Sequence, residues 1–243
     1  SGRSIIATSD GGYLVVGSTE SVDGIINNRF NKPTSWIVKL DGNGNVQWNR
    51  TYGGFGVFDI LNQAVETPQG DFIIGGSAFG FGEDVPATNG DYDFWIFKIN
   101  SIGDIIWSKN YGGLGPEFLN SINLLTDGNM IISGNSNSHA TGDVSRLSAA
   151  NSNFWIIKLD AAGGLIWEKS IGGDFFENGG FSDVSPSGEI YLGGTSNSLN
   201  LDINQGFGGR DIWVFRLNND GDILDKKNFG GSEFENANDL DLN

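Results

Sequence analysis

The sequence has no cysteine, one histidine (His139) and one methionine (Met130) among its 243 residues. Without cysteine there is no disulfide and no thiolate metal site, and the redox compartment stays undetermined. A single histidine does not build a histidine-based zinc site. Any Ser-His-Asp triad would have to use His139, and no Gly-x-Ser-x-Gly elbow is present to supply its nucleophile. Basic residues are scarce too: 14 Lys and Arg stand against 30 Asp and Glu, a net charge of −16. That charge repels a phosphate backbone, so nucleic acid and anionic membrane surfaces are not expected partners. No apolar run approaches the roughly 18 residues of a membrane-spanning helix, and membrane insertion is not expected. The chain opens on Ser1, so it is not expected to begin at a native translation start.

What is abundant is glycine, at 38 residues, and tryptophan, at 7. Many short strands joined by tight turns, with aromatic rings between sheets, produce this composition. The tryptophans are periodic. Trp36, Trp95, Trp155 and Trp213 stand 59, 60 and 58 residues apart, each in an apolar run followed by Lys or Arg (Trp36-Ile37-Val38-Lys39; Trp213-Val214-Phe215-Arg216). Twelve residues further on come Trp48, Trp107 and Trp167, and Asp225 in the fourth copy. A Gly-Gly pair then follows each time: Gly53-Gly54, Gly112-Gly113, Gly172-Gly173 and Gly230-Gly231. The chain is therefore an array of repeats spanning approximately residues 1–54, 55–113, 114–173 and 174–231, with a partial fifth at 232–243.

Each period reads as four strands, A to D. A glycine turn such as Asp10-Gly11-Gly12 joins A to B, a long polar loop joins B to C, and a short Asx-Gly turn joins C to D. Antiparallel four-stranded units in tandem are the blades of a β-propeller, so the expected fold is all-β: four complete blades plus one extra strand, in a single propeller that is part of a longer one. The repeated tryptophans are expected between neighbouring sheets, with Trp95, Trp107, Trp155 and Trp167 largely buried.

Asp93-Phe94-Trp95-Ile96-Phe97-Lys98, a Gly turn, Ile105-Ile106-Trp107-Ser108-Lys109-Asn110-Tyr111-Gly112-Gly113, then Asn120-Ser121-Ile122 and Thr126-Asp127-Gly128 resemble the repeats of large secreted propellers of Bacteroidota. The pattern is similar to the SBBP (seven-bladed β-propeller) repeat. It is clearest from Asp93 to Gly134 and weaker over the rest. The long loop of those repeats survives only in part, as Gly142-Asp143-Val144-Ser145 and Glu83-Asp84-Val85. The resemblance implies a secreted or cell-surface protein, commonly type IX secretion cargo, and implies no particular chemistry.

In a propeller the B–C and D–A connections share one face, which brings together the loops Ser18 to Thr34, Ser77 to Tyr92, Asn135 to Ser152 and Thr195 to Arg210. Each loop holds one aspartate at a comparable place: Asp23, Asp84, Asp143 and Asp202 are the candidate ligand-binding residues. Acids recur at the D–A junction as Asp59, Glu117, Glu177 and Glu235, and Asp93, Asn153 and Asp211 precede strand C. If a metal is bound it is Ca²⁺, which takes carboxylate and carbonyl oxygens from flexible loops. The ligands would come from Asp84, Asp93, Asp143, Asn153, Asp202 and Asp211. The same carboxylates would equally serve by accepting backbone N–H groups and tethering the loops. No loop carries a dense Asp-x-Asp-x-Asp-Gly array.

No catalytic residue stands out. The sequence favours a non-catalytic surface module that presents loops to a glycan or a protein, within a larger polypeptide. A carboxylate-based glycan hydrolase or lyase on the loop face is the alternative from a different class, and a structural spacer is the third. A pocket with converging carboxylates would favour the enzyme, a shallow aromatic shelf glycan binding, and a flat solvated face the spacer.

Overall fold

The computed structural model describes residues 1–26, 33–55, 59–146, 152–203 and 206–242. Their regular structure is strand throughout, and no helix is long and apolar enough to cross a membrane. The chain divides into two compact units, Ser1–Tyr111 and Gly112–Asn243, each holding two four-stranded antiparallel sheets that resemble propeller blades. In the first unit one sheet is β1 (Gly2–Ala7), β2 (Tyr13–Thr19), β3 (Thr34–Leu40) and β4 (Val46–Tyr52). The other is β5 (Asp59–Glu66), β6 (Phe72–Ala78), β7 (Asp93–Ile99) and β8 (Ile105–Tyr111). The second unit repeats this with β9 (Glu117–Leu124), β10 (Met130–Ser136), β11 (Asn153–Leu159) and β12 (Leu165–Ile171). Its last sheet is β13 (Glu177–Val184), β14 (Ile190–Ser196), β15 (Asp211–Leu217) and β16 (Ile223–Phe229). Within each sheet the spatial order follows the chain, so every sheet is a meander of the expected strands A to D.

The recurring sequence positions explain the recurring geometry. Asp41, Asn100, Asp160 and Asn218 open the C–D turns, and the Oδ1 of each accepts N–H bonds from the residues two and four further on. Short polar side chains favour this local capture of backbone donors, which is why Asx recurs there. The register shifts at the same place in every C–D pair, between Lys39 and Leu40, Lys98 and Ile99, Lys158 and Leu159, and Arg216 and Leu217. The strand-C cations are held too: Lys39 bridges Asp10 at 2.8 Å, Lys98 bridges Asp71 at 2.9 Å and Arg216 bridges Glu189 at 3.2 Å. Lys158 turns instead to Asn219 Oδ1 at 2.7 Å.

Strand C fills the cores. Trp95 and Phe97 stack with centroids 4.5 Å apart in the first unit, among Leu14, Ile37, Leu61 and Ile74. Trp213 and Phe215 stack at 5.9 Å in the second, among Ile156, Ile190 and Leu192. Trp95 and Trp155 are fully buried, as expected. Trp107 and Trp167 are only half-buried, which corrects their expected burial. Strand D is an edge strand of each sheet, and in β4 and β12 its tryptophan lies over the C–D turn of the next repeat. Trp48 donates its indole N–H to Ser101 O at 3.0 Å, and Trp167 donates to Asn219 O at 3.2 Å.

The expected extra strand is not formed. Residues 235–242 join no ladder; Leu242 N–H donates to Asp183 of β13 at 2.8 Å.

Candidate functional site

At the B–C and D–A end of each unit, the Gly-Gly pairs organise the acidic residues. The first glycine of a pair donates its N–H to the loop aspartate of the next repeat: Gly53 to Asp84 Oδ2 at 3.0 Å, Gly112 to Asp143 Oδ2 at 3.1 Å, Gly172 to Asp202 Oδ2 at 3.1 Å. Each aspartate returns a backbone N–H to the same glycine's carbonyl, at 3.2, 2.9 and 3.3 Å. The second glycine donates to the D–A acid: Gly54 to Asp59, Gly113 to Glu117, Gly173 to Glu177 and Gly231 to Glu235, at 2.8 to 3.2 Å. The two adjacent donors are thus each met by a carboxylate of the chain itself.

The apolar residue after each aspartate completes the fastening. Val85, Val144 and Ile203 are buried. The residue before each aspartate is left-handed, Glu83 at φ 42°, Gly142 at 58° and Leu201 at 58°, which turns the carboxylate toward the glycine. In Asp202 the clamp is reinforced by Arg146, whose guanidinium reaches Asp202 Oδ2 at 2.6 Å and Gly172 O at 2.9 Å. Asp23 differs. It is exposed.

Of the residues ahead of strand C, Asp93 accepts the Asn89 N–H at 2.8 Å and Asp211 the Phe207 N–H at 2.8 Å. Asp93, Asn153 and Asp211 are all buried. Burial raises the carboxyls of Glu117 and Glu177 above the ordinary glutamate range, against the opposing hydrogen bonds from Ser136 to Glu117 and from Ser196 and Ser198 to Glu177. Among the described residues no three His, Asp or Glu side chains are grouped to hold a metal ion. The structure therefore brings the loop aspartates to backbone donors and not to one another. The middles of three of the four long loops, 27–32, 147–151 and 204–205, lie outside the described residues.

The open part of this end is neutral and aromatic. In the second unit a cleft of about 310 Å³ is lined by Phe118, Asn120, Asn137, Asn178, Phe181 and Asn238, with no carboxylate among its lining residues. Asn135 forms its floor and is fully committed: it donates to Glu177 O at 3.0 Å and accepts from Gly179 N at 3.0 Å. Asn178 and Asn238 are exposed. In the first unit the exposed rings of Phe55 and Phe81 meet edge to face at 6.4 Å. Reading the sequence for charge alone passed over these amides and rings; the signal for them was the recurrence of Asn and Phe at the start of strand A (Phe118, Asn120, Asn178, Asn238).

No family model matches the chain, and no curated protein resembles it in sequence. Its fold is similar to part of a puromycin hydrolase crystal structure, with a TM-score of 0.50 and 13% identity over 96% of this chain. The chain spans 33% of the length of that hydrolase. A Synechocystis apocarotenoid oxygenase (TM-score 0.45, 15% identity, 94% of this chain and 49% of that one) and BamB from Moraxella catarrhalis (0.25, 13%, 95% and 92%) are fainter likenesses. At these identities the similarity concerns the fold alone.

Proposed function

We propose that this chain is a non-catalytic propeller module of a secreted or cell-surface protein, and that it binds glycan through the B–C and D–A end of its blades. One observation carries the reading. Asp143, Asp202, Glu117 and Glu177 of that end are engaged by Gly-Gly N–H donors, while the open cleft is lined by side-chain amides and phenyl rings. Amides offer both donors and acceptors to vicinal hydroxyls, and a ring face covers the apolar face of a sugar. A carboxylate-pair hydrolase needs two acids flanking a scissile bond in an open cleft, and the residues lining this cleft are amides and rings instead. The resemblance to secreted Bacteroidota repeats supports the extracellular placement, export by a type IX route and membership of a larger polypeptide.

The test is a glycan array probed with and without chelator, followed by titration of any hit against Phe118→Ala and Asn178→Ala. The reading expects calcium-independent binding that both variants weaken. Release of new reducing ends from a bound glycan would favour a hydrolase. Silence across the array, with the fold intact, would leave a structural spacer.

A further inference from the structure

Two junctions between successive repeats show how strand D of one blade receives the next. In the first unit Arg50 of β4 bridges Asp104 at 2.6 Å, Tyr52 donates its hydroxyl hydrogen to Gly103 O at 2.7 Å, and the Trp48 indole meets Ser101 O. In the second unit Lys169 of β12 bridges Asp222 at 3.1 Å, and the Trp167 indole meets Asn219 O. Both times the receiving element is a C–D turn of the form Asn-x-x-Gly-Asp: Asn100 to Asp104, and Asn218 to Asp222. The turn glycine is needed for the approach. A Cβ at Gly103 would stand 3.0 Å from the Arg50 side chain and the Tyr52 hydroxyl, and one at Gly221 2.9 Å from Lys169.

The outer strand of the fourth repeat has the same equipment, and within the second unit no C–D turn among the described residues bonds to it. Lys227 occupies the place of Arg50 and Lys169, and Phe229 the place of Tyr52 and Ile171. Tyr52 and Ile171 are 2% and 3% exposed, whereas Phe229 is 55% exposed. Around them Tyr191, Val214, Arg216, Asp225, Lys227 and Phe229 line a concavity of about 480 Å³. Of the cations there, Arg216 is paired with Glu189 and Lys226 donates to Asp202 O, while Lys227 is exposed.

We infer that this face docks a further four-stranded repeat of the same construction, whose C–D turn carries aspartate where Asp104 and Asp222 stand. Continuity with the two internal junctions and charge complementarity at Lys227 specify that occupant. The first repeat of a second copy fits less well. Its turn ends in Asn45 where the aspartate belongs, and its Asp41 carboxylate is taken up by the Asn43 and Asn45 N–H groups and the Asn45 side chain. The segment 235–242, aligned with β5, β9 and β13, is placed to serve as strand A of the docked repeat. This inference is independent of the glycan reading, since it concerns the outer strand and not the loop end.

The experiment extends the whole chain with its own residues 68–113 after Asn243, which supplies strands B, C and D in frame together with the Asn100 to Asp104 turn. Hydrogen exchange of the β16 amides should slow by about tenfold or more relative to the parent chain. Lys227→Glu, or Asp104→Asn in the appended copy alone, should remove much of that protection, while Lys227→Glu in the parent chain should leave its melting temperature unchanged. Free exchange of the appended segment, or unaltered β16 exchange, overturns the inference. A parent chain that forms head-to-tail oligomers with β16 protected also overturns it, in favour of a second copy. Should the extended chain fail to fold, Arg50→Glu in the parent decides: the internal template requires a lower melting temperature, and no change there removes the basis of the inference.

Discussion

Asp143 and Gly112 hold each other twice, the aspartate carboxylate accepting the glycine N–H at 3.1 Å and the aspartate N–H donating to the glycine carbonyl at 2.9 Å. A loop residue is thereby tied to the exit of the preceding strand D, and the same pairing recurs at Asp84–Gly53 and Asp202–Gly172. Replacing Asp143 by Ala leaves a partly buried donor without its charged acceptor and should cost about 1.5–3 kcal/mol. Asparagine keeps an acceptor and should cost less. Asp23→Ala, at the exposed counterpart in the first repeat, should change little. Urea denaturation of the three variants measures this, with hydrogen exchange at Gly112 as the local readout.

Calcium follows from the same geometry. Oxygens that already accept backbone N–H bonds have fewer lone pairs to offer a cation that takes six to eight ligands. A cation bound to the folded state alone would stabilise it by RT ln(1 + [L]/Kd), about 2.7 kcal/mol at a hundredfold excess over Kd. The melting temperature should be the same in millimolar Ca²⁺ and in chelator. A rise of several degrees in Ca²⁺ would mean that the loop aspartates serve a cation.

The tryptophans separate by strand. Trp155→Ala removes a fully buried ring from strand C and should destabilise by about 3–5 kcal/mol. Trp167→Ala removes a half-buried ring and one indole hydrogen bond, so its cost should be clearly smaller. Equal costs, read from thermal or urea unfolding, would contradict the distinction between inner and outer strands.

The pH dependence has two opposing parts. Burial raises Glu117 and Glu177, so between their ordinary pKa and their folded one the native state holds more protons than the unfolded chain. Stability therefore falls as pH rises through that window. Lys39, Thr8 and the Gly12 N–H hold Asp10 down to about 2, so its contribution is present above its ordinary pKa and is lost as pH falls toward 2. The melting temperature should be higher at pH 5 than at pH 8 and should drop at strong acid. Glu117→Gln with Glu177→Gln should flatten the pH 5 to 8 slope, since glutamine can accept from the glycine and donate to the serine hydroxyls without ionising.

Much of this was legible in the sequence because the repeat multiplies each signal. The period from Trp36 to Trp213, the Asx-Gly turns and the Gly-Gly pairs each fix a strand end, and the sixteen strands among the described residues fall in the expected order. The clamps were harder to see because they join residues 30 or 31 positions apart in different repeats. Their trace was there all the same, in the constant interval from Gly-Gly to aspartate and the apolar residue after it. The half-burial of Trp167 was not legible, because a ring between sheets and a ring over a turn have the same spacing. Nor was it legible that residues 235–242, which match strand A in sequence, join no ladder.

The most direct measurement is a calorimetric titration, in chelator, of the glycan selected by the array against the wild-type chain and its Phe118→Ala and Asn178→Ala variants. The account predicts saturable binding by the wild type, weakened by about tenfold or more in each variant by loss of a stacked ring or a hydrogen-bonding amide, with melting temperatures unchanged and no new reducing ends. Undiminished affinity in both variants, or cleavage of the titrated glycan, would contradict it.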